Sequence, residues 1–288
     1  MKIYISADLE GVNGIVHSSQ TQPGEPGYER GISLMHKELA AVIEGIYSDS
    51  RVSDIFVADA HWDARNLRAE LLPRGVTLCS GWQRPFSMMS GVAGDISGKQ
   101  VVQKGFDGVF FVGYHARSGV ACGVLSHTYR AQVYLDVKLN GVSVGETGLN
   151  AALAGHSNVP IAFLSGDDAA CNEARNLLGS LTCVEVKKAI SRYSAILMPM
   201  EESLDALRRG ASEAMNKSDY WGIFSPPRPS TLTLTMIDPS MADAAELLPQ
   251  VKRLDDRVVE LSHEDYSVLF KLFLAIGTLA ASRRDPHF

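Results

Sequence analysis

The chain has 288 residues, 45% of them hydrophobic and 21% charged, with a formal net charge of −6. That is enough apolar material for a sizeable core in one large domain or two smaller ones, and the acidic balance excludes a broad electrostatic footprint for nucleic acid or an anionic membrane. Cys79, Cys122, Cys171 and Cys183 form no C-x-x-C pair, which excludes a redox motif or zinc ribbon and reads as reduced thiols in a cytoplasmic protein.

Residues 2–7 (KIYISA) predict a short strand, and the charges at Asp8 and Glu10 come too early for a secretory apolar segment. Tyr28, Ile32, Met35, Leu39, Val42, Ile43 and Ile46 share one helical face, predicting a helix over 28–47. DIFVA at 54–58 and GVFFV at 108–112 predict buried strands. Residues 133–144 hold two short strands turning at Asn140-Gly141. A helix over 145–156, a strand over 161–164 and a helix capped by Asp167 or Asp168 follow. After about Ser191 the texture changes to a helix over 200–216, a Pro-rich loop at 225–229, a strand over 231–237 and a terminal helix over 264–282. The apolar stretch 268–281 carries Lys271 and is shorter than the roughly 20 residues of a membrane span, so it predicts a core helix.

Strands alternating with amphipathic helices predict an α/β fold: a mainly parallel sheet with flanking helices, plus a smaller C-terminal α+β part. Residues 1–192 are expected to form a metal-binding catalytic domain and 193–288 the smaller region.

In such sheets ligands gather beyond the carboxyl ends of the strands. Three predicted strands run into metal-capable residues: Asp8 and Glu10 after the first, His61 after the second, His115 after the third. Each alone has an ordinary explanation, as a turn-forming carboxylate, a surface histidine or a half-buried one. Together they make the mixed nitrogen and oxygen donor set that zinc accepts. Glu146 opens the 145–156 helix, where the helix dipole alone would favour it, and it also suits a metal. His127, in a polar loop, carries no signal in isolation.

Asp-Leu-Glu-Gly (8–11), Asp-Ala-His (59–61), Gly-Tyr-His-Ala-Arg (113–117), Ser-His (126–127), Gly-Glu-Thr-Gly-Leu-Asn-Ala (145–151) and Gly-Asp-Asp (166–168) occur in this order. As a set they resemble the D-aminopeptidases of bacterial dipeptide-transport operons, from Met1 to about Arg192 and more loosely beyond. The resemblance implies zinc ligands at Asp8, Glu10, His61, His115 and Glu146, two zinc ions per subunit sharing Asp8, and a catalytic histidine at His127. It implies a zinc-dependent aminopeptidase acting on short peptides with a free N-terminus, or on amino-acid amides, and D-selectivity. It also implies a ring-like homo-oligomer, with a decamer as one size it allows. Arg117 is a candidate for a peptide carboxylate, with a plain surface arginine as the alternative.

Two other classes stay open. Asp8-x-Glu10 with Gly166-Asp167-Asp168 echoes magnesium-dependent phosphatases of the haloacid-dehalogenase type, though that class has Asp where Glu10 stands and gives His61 and His115 no task. A non-catalytic metal- or nucleotide-binding module is the other, but Gly11-Val12-Asn13-Gly14 lacks the G-x-G-x-x-G spacing, and the carboxylates beside it repel phosphate.

Overall fold

Strands and helices do alternate in the computed structural model, which describes residues 1–92, 105–179 and 181–283. The strands are β1 (Lys2–Ala7), β2 (Asp54–Asp59), β3 (Val76–Cys79), β4 (Gly108–Tyr114), β5 (Tyr134–Leu139), β6 (Val142–Ser143), β7 (Ile161–Asp167), β8 (Thr182–Ser191), β9 (Ser194–Leu197), β10 (Ser230–Met236), β11 (Lys252–Asp255) and β12 (Val258–His263). The helices are α1 (Tyr28–Ile46), α2 (Glu146–His156), α3 (Asp168–Leu178), α4 (Met200–Asn216), α5 (Pro239–Ala245) and α6 (Tyr266–Ala281).

The first sheet has the order β3-β2-β1-β4-β7-β8-β9, parallel throughout except for β9, which turns back along β8. The second is antiparallel, in the order β11-β12-β10-β5-β6. Alternation along β1 explains the layering. Ile3 and Ile5 face one core with Ile32, Met35, Leu39 and Val42 of α1 and Leu207, Ala211 and Met215 of α4. Tyr4 faces the other core, shared with α2, α6 and the inner face of the second sheet. Both faces of the parallel sheet are covered, so its central strands read as continuous apolar runs.

The expected helices and strands sit close to their predicted limits. Asn140 (φ 49°) and Gly141 (φ 83°) make the predicted hairpin turn between β5 and β6. Asp167 caps α3 by accepting the Ala170 N–H, and α6 is a core helix with Leu269, Phe270 and Phe273 buried. No helix among the described residues is long and apolar enough to cross a membrane. A cut after residue 192 does not separate the two sheets. β5 and β6, before it, complete the second sheet, whereas β9 and α4, after it, join the first layer.

The chain moves outward from β1 to β2 to β3, then returns to lay β4 on the other side of β1. Strand order therefore reverses between β1 and β4, and a crevice opens beyond their carboxyl ends at such a point.

Candidate metal centre

Backbone contacts bring the ends of β1 and β4 together. The Asp8 N–H donates to the Val112 carbonyl and the Gly11 N–H to the Gly113 carbonyl, both at 2.8 Å. The approach demands glycine: a Cβ on Gly11 would lie 2.0 Å from the Tyr114 carbonyl oxygen, and one on Gly113, at φ +71°, would lie 2.3 Å from that of Asp8. Beyond β2, the Asp59 carboxylate accepts the N–H groups of Asn66 (2.6 Å) and Leu67 (2.7 Å), and the Asn66 amide holds the His61 carbonyl at 2.6 Å. Glu146 is the first residue of α2, where the helix dipole favours a carboxylate, and its Oε1 accepts the Tyr129 N–H at 2.7 Å.

These elements deliver Asp8, Glu10, His61, His115, Glu146 and His127 to one buried cluster. The first five are each no more than 7% exposed. His61 Nδ1 lies 2.9 Å from Glu10 Oε2 and 3.3 Å from Asp8 Oδ1. His115 Nε2 lies 3.4 Å from Glu146 Oε2 and 3.6 Å from Asp8 Oδ2. His127 stacks on His115 with ring centroids 4.1 Å apart and puts its Nε2 3.7 Å from Glu146 Oε1. Donor atoms of Asp8, Glu10 and His115 lie within 4.8 Å of one another, and so do those of His115, His127 and Glu146.

Electrostatics reflect this crowding. Burial, and then the Glu10 charge, push the Asp8 carboxyl up to about 7. Burial also works against charge on Glu10 and Glu146, but His61 and His115 respectively outweigh it and hold both carboxyls low. Those two imidazoles are raised well above the ordinary value, their burial outweighed by Glu10 and Glu146. His127 goes the other way, lowered by burial and by the neighbouring His115.

The chemistry of the donor set fits a metal. Each histidine donates one ring N–H to a backbone carbonyl: His61 Nε2 to Thr21 (2.7 Å), His115 Nδ1 to Ala116 (3.0 Å) and His127 Nδ1 to Leu125 (2.9 Å). The other nitrogen of each ring is then directed at the carboxylates, and a metal bound there would take the place of the proton that His61 and His115 otherwise hold against them, the arrangement that metal-binding histidines adopt. Among the described residues His115 Nε2 is buried with no hydrogen-bond partner, which is costly unless something else partners it.

A family model described as D-aminopeptidase matches residues 1–275. The chain belongs to the D-aminopeptidase family. It is 30% identical over 281 residues to a D-aminopeptidase of Bacillus subtilis (strain 168), covering 97% of this chain and 98% of that relative. A solved structure described as the Zn-dependent D-aminopeptidase DppA from Bacillus subtilis, a self-compartmentalizing protease, matches with a TM-score of 0.91 at 30% identity over 99% of both chains. Family membership makes the chain a hydrolase of aminopeptidase type and sets aside the phosphatase and the non-catalytic module.

In this D-aminopeptidase family member, Arg117 is half-buried; its guanidinium donates to the Ser118 carbonyl at 2.9 Å and its backbone N–H to Glu173 at 2.8 Å. Thr21, Asn66, Glu173 and Lys187, which hold the site's backbone or its histidines, escape a reading of the sequence. Their partners lie up to 177 positions away and are mostly main-chain groups, which carry no residue-type signal.

Proposed function

We propose that this chain is a zinc-dependent aminopeptidase releasing N-terminal D-amino acids from short peptides or amino-acid amides. Asp8, Glu10, His61, His115 and Glu146 would hold two zinc ions per subunit, with Asp8 shared. The carrying observation is the convergence of three buried carboxylates with histidine nitrogens whose other N–H groups are spent on carbonyls. Bound zinc would supply Lewis acidity, polarising the scissile carbonyl and bringing the pKa of an attacking water to about 7.

The protein's own groups do the rest. His127 spends its Nδ1 proton on the Leu125 carbonyl, so only Nε2 exchanges protons, on the side facing Glu146. Burial and His115 keep the ring neutral near pH 7. It therefore takes a proton from the attacking water and returns it to the leaving amine. Arg117 is assigned to the carboxylate of a short peptide, through N–H groups beyond the one given to Ser118. Because the donor atoms of His115, His127 and Glu146 also form a compact triad, ligation is the competing role for His127.

Paired D- and L-aminoacyl amides and dipeptides, each free and N-acetylated, test the substrate assignment on the zinc-loaded protein. The D series should turn over faster, and acetylation should abolish turnover. Equal cleavage of free and acetylated peptides would remove the aminopeptidase assignment, and equal rates for both hands would remove the D-selectivity.

We also propose a homo-oligomer well above a dimer, with a decamer as one size it allows. The description of DppA as self-compartmentalizing supports this, as do Ile190, Tyr193, Ile196 and Leu197, exposed around the β8–β9 hairpin. Light scattering at micromolar concentration decides it, and a monomer mass would sink it.

A further inference from the structure

The segment from the end of β7 through α3 into β8 contributes none of the ligands assigned above. Three of its charged side chains nevertheless grip the backbones that carry them. Asp167 accepts the Val124 N–H through Oδ2 at 2.7 Å, three residues before His127, while its Oδ1 accepts the Ala170 N–H at 2.8 Å. Glu173 accepts the Gly145 N–H through Oε1 at 3.0 Å and the Arg117 N–H through Oε2 at 2.8 Å. One carboxylate thus bridges the residue before Glu146 and the residue two beyond His115. Lys187, only 3% exposed, donates to the carbonyls of Glu10 (2.6 Å), Val12 (2.9 Å) and Ile15 (2.7 Å).

Burying charge is costly, and an apolar side chain of similar volume often packs the same space at less cost. What the charges provide here is direction. The stretch 8–16, which carries Asp8 and Glu10, is neither helix nor strand; it is tied to the end of β4 at Asp8 and Gly11 and to α1 at Asn13, and its carbonyls at Glu10, Val12 and Ile15 fall to Lys187. The three N–H groups of one ammonium meet three of its carbonyls. Main-chain N–H groups are held in the same way at Arg117 and Gly145, which Glu173 joins, and at Val124, whose N–H Asp167 accepts. The loop of His61 has its own anchor in Asp59 and Asn66.

We propose that Asp167, Glu173 and Lys187 are positioning residues for the metal centre, forming a clip in which one continuous segment sets the backbones bearing Glu10, His115, His127 and Glu146. This rests on the reading that Asp8, Glu10, His61, His115 and Glu146 hold zinc. A residue needed only for folding would lower thermal stability without altering the zinc affinity of the folded protein. A positioning residue moves both.

The test compares Lys187→Met, Glu173→Gln and Asp167→Asn with wild type and with Leu261→Ala, a cavity control in β12 of the second sheet. Each amide sets an N–H against one of the two main-chain N–H groups its carboxylate accepts, with little change of shape. Zinc affinity is measured by chelator competition well below each melting temperature, with the visible spectrum of the cobalt-substituted proteins as a second readout. The clip variants should bind zinc about 10–100-fold more weakly, as partners that orient ligands do when altered, and shift the cobalt bands. Leu261→Ala should lose stability and keep wild-type affinity. Wild-type affinity in a folded clip variant removes that residue from the clip, and equal weakening in Leu261→Ala overturns the proposal. If Lys187→Met does not fold, the two amide variants decide. A wild-type protein that takes up no zinc fails the metal reading itself, a result distinct from unchanged affinity in the variants.

Discussion

At His127 the side chain sits at ligand distance from Glu146 and stacks on His115, while its lowered pKa suits a neutral base. General acid–base help is worth roughly 10²–10⁴ in rate. His127→Ala is therefore expected to keep both metals and its fold while losing at least about 10²-fold in kcat. His61→Ala and His115→Ala should lose metal first and activity with it. Metal content measured alongside kcat separates the roles: zinc lost from His127→Ala makes His127 a ligand, and near-normal turnover ends the proton-transfer assignment. At this scale much of the site was legible. Carboxylates and histidines at the ends of apolar strands announce themselves by type and place. The tautomer-setting carbonyls of Thr21, Ala116 and Leu125 do not, because any residue supplies a carbonyl.

Among the elements, α1 shows both the strength of periodicity and its blind spot. Its apolar stripe fixes which face meets the sheet, but Glu38 lies on the buried side, its Oε1 accepting the Asn13 N–H at 2.9 Å and its Oε2 without a partner among the described residues. Burial pushes this carboxyl from 4.5 to about 7. The folded chain thus binds the proton more tightly than the unfolded one. The resulting stability is complete below about pH 4.5 and is lost as pH rises through about 7, amounting to roughly 3 kcal/mol at most. Urea unfolding of wild type and Glu38→Gln across this window should show the wild type losing stability relative to the variant as pH rises. Parallel curves would contradict the assignment. β8 was hidden for a related reason. Val184 and Val186 point inward and Glu185 outward, but Lys187 is buried next to Val186, and the charge breaks the alternation that marks a strand. β9 and β11 are short edge strands whose mixed residues are mostly exposed, which leaves little periodic trace.

For the whole molecule, the alternation of strands and helices was enough to expect a covered parallel sheet, and the three strands that run into the proposed ligands are neighbours, in the order β2-β1-β4. The partition into two sheets was not legible. Strand pairing joins Leu139 to Leu232, and partnership across an edge depends on main-chain hydrogen bonds, not on nearness in the chain. The reversal between β1 and β4 is what turns distant residues into one centre, with Asp8 at the middle, facing both His61 and His115. The most direct test of this account is zinc per chain in the purified wild type and in Asp8→Ala, with circular dichroism to verify the fold. Two zinc ions are expected in the wild type, with the loss of both, or nearly both, from folded Asp8→Ala. A wild type holding a single zinc, or an Asp8→Ala protein retaining two, would contradict it.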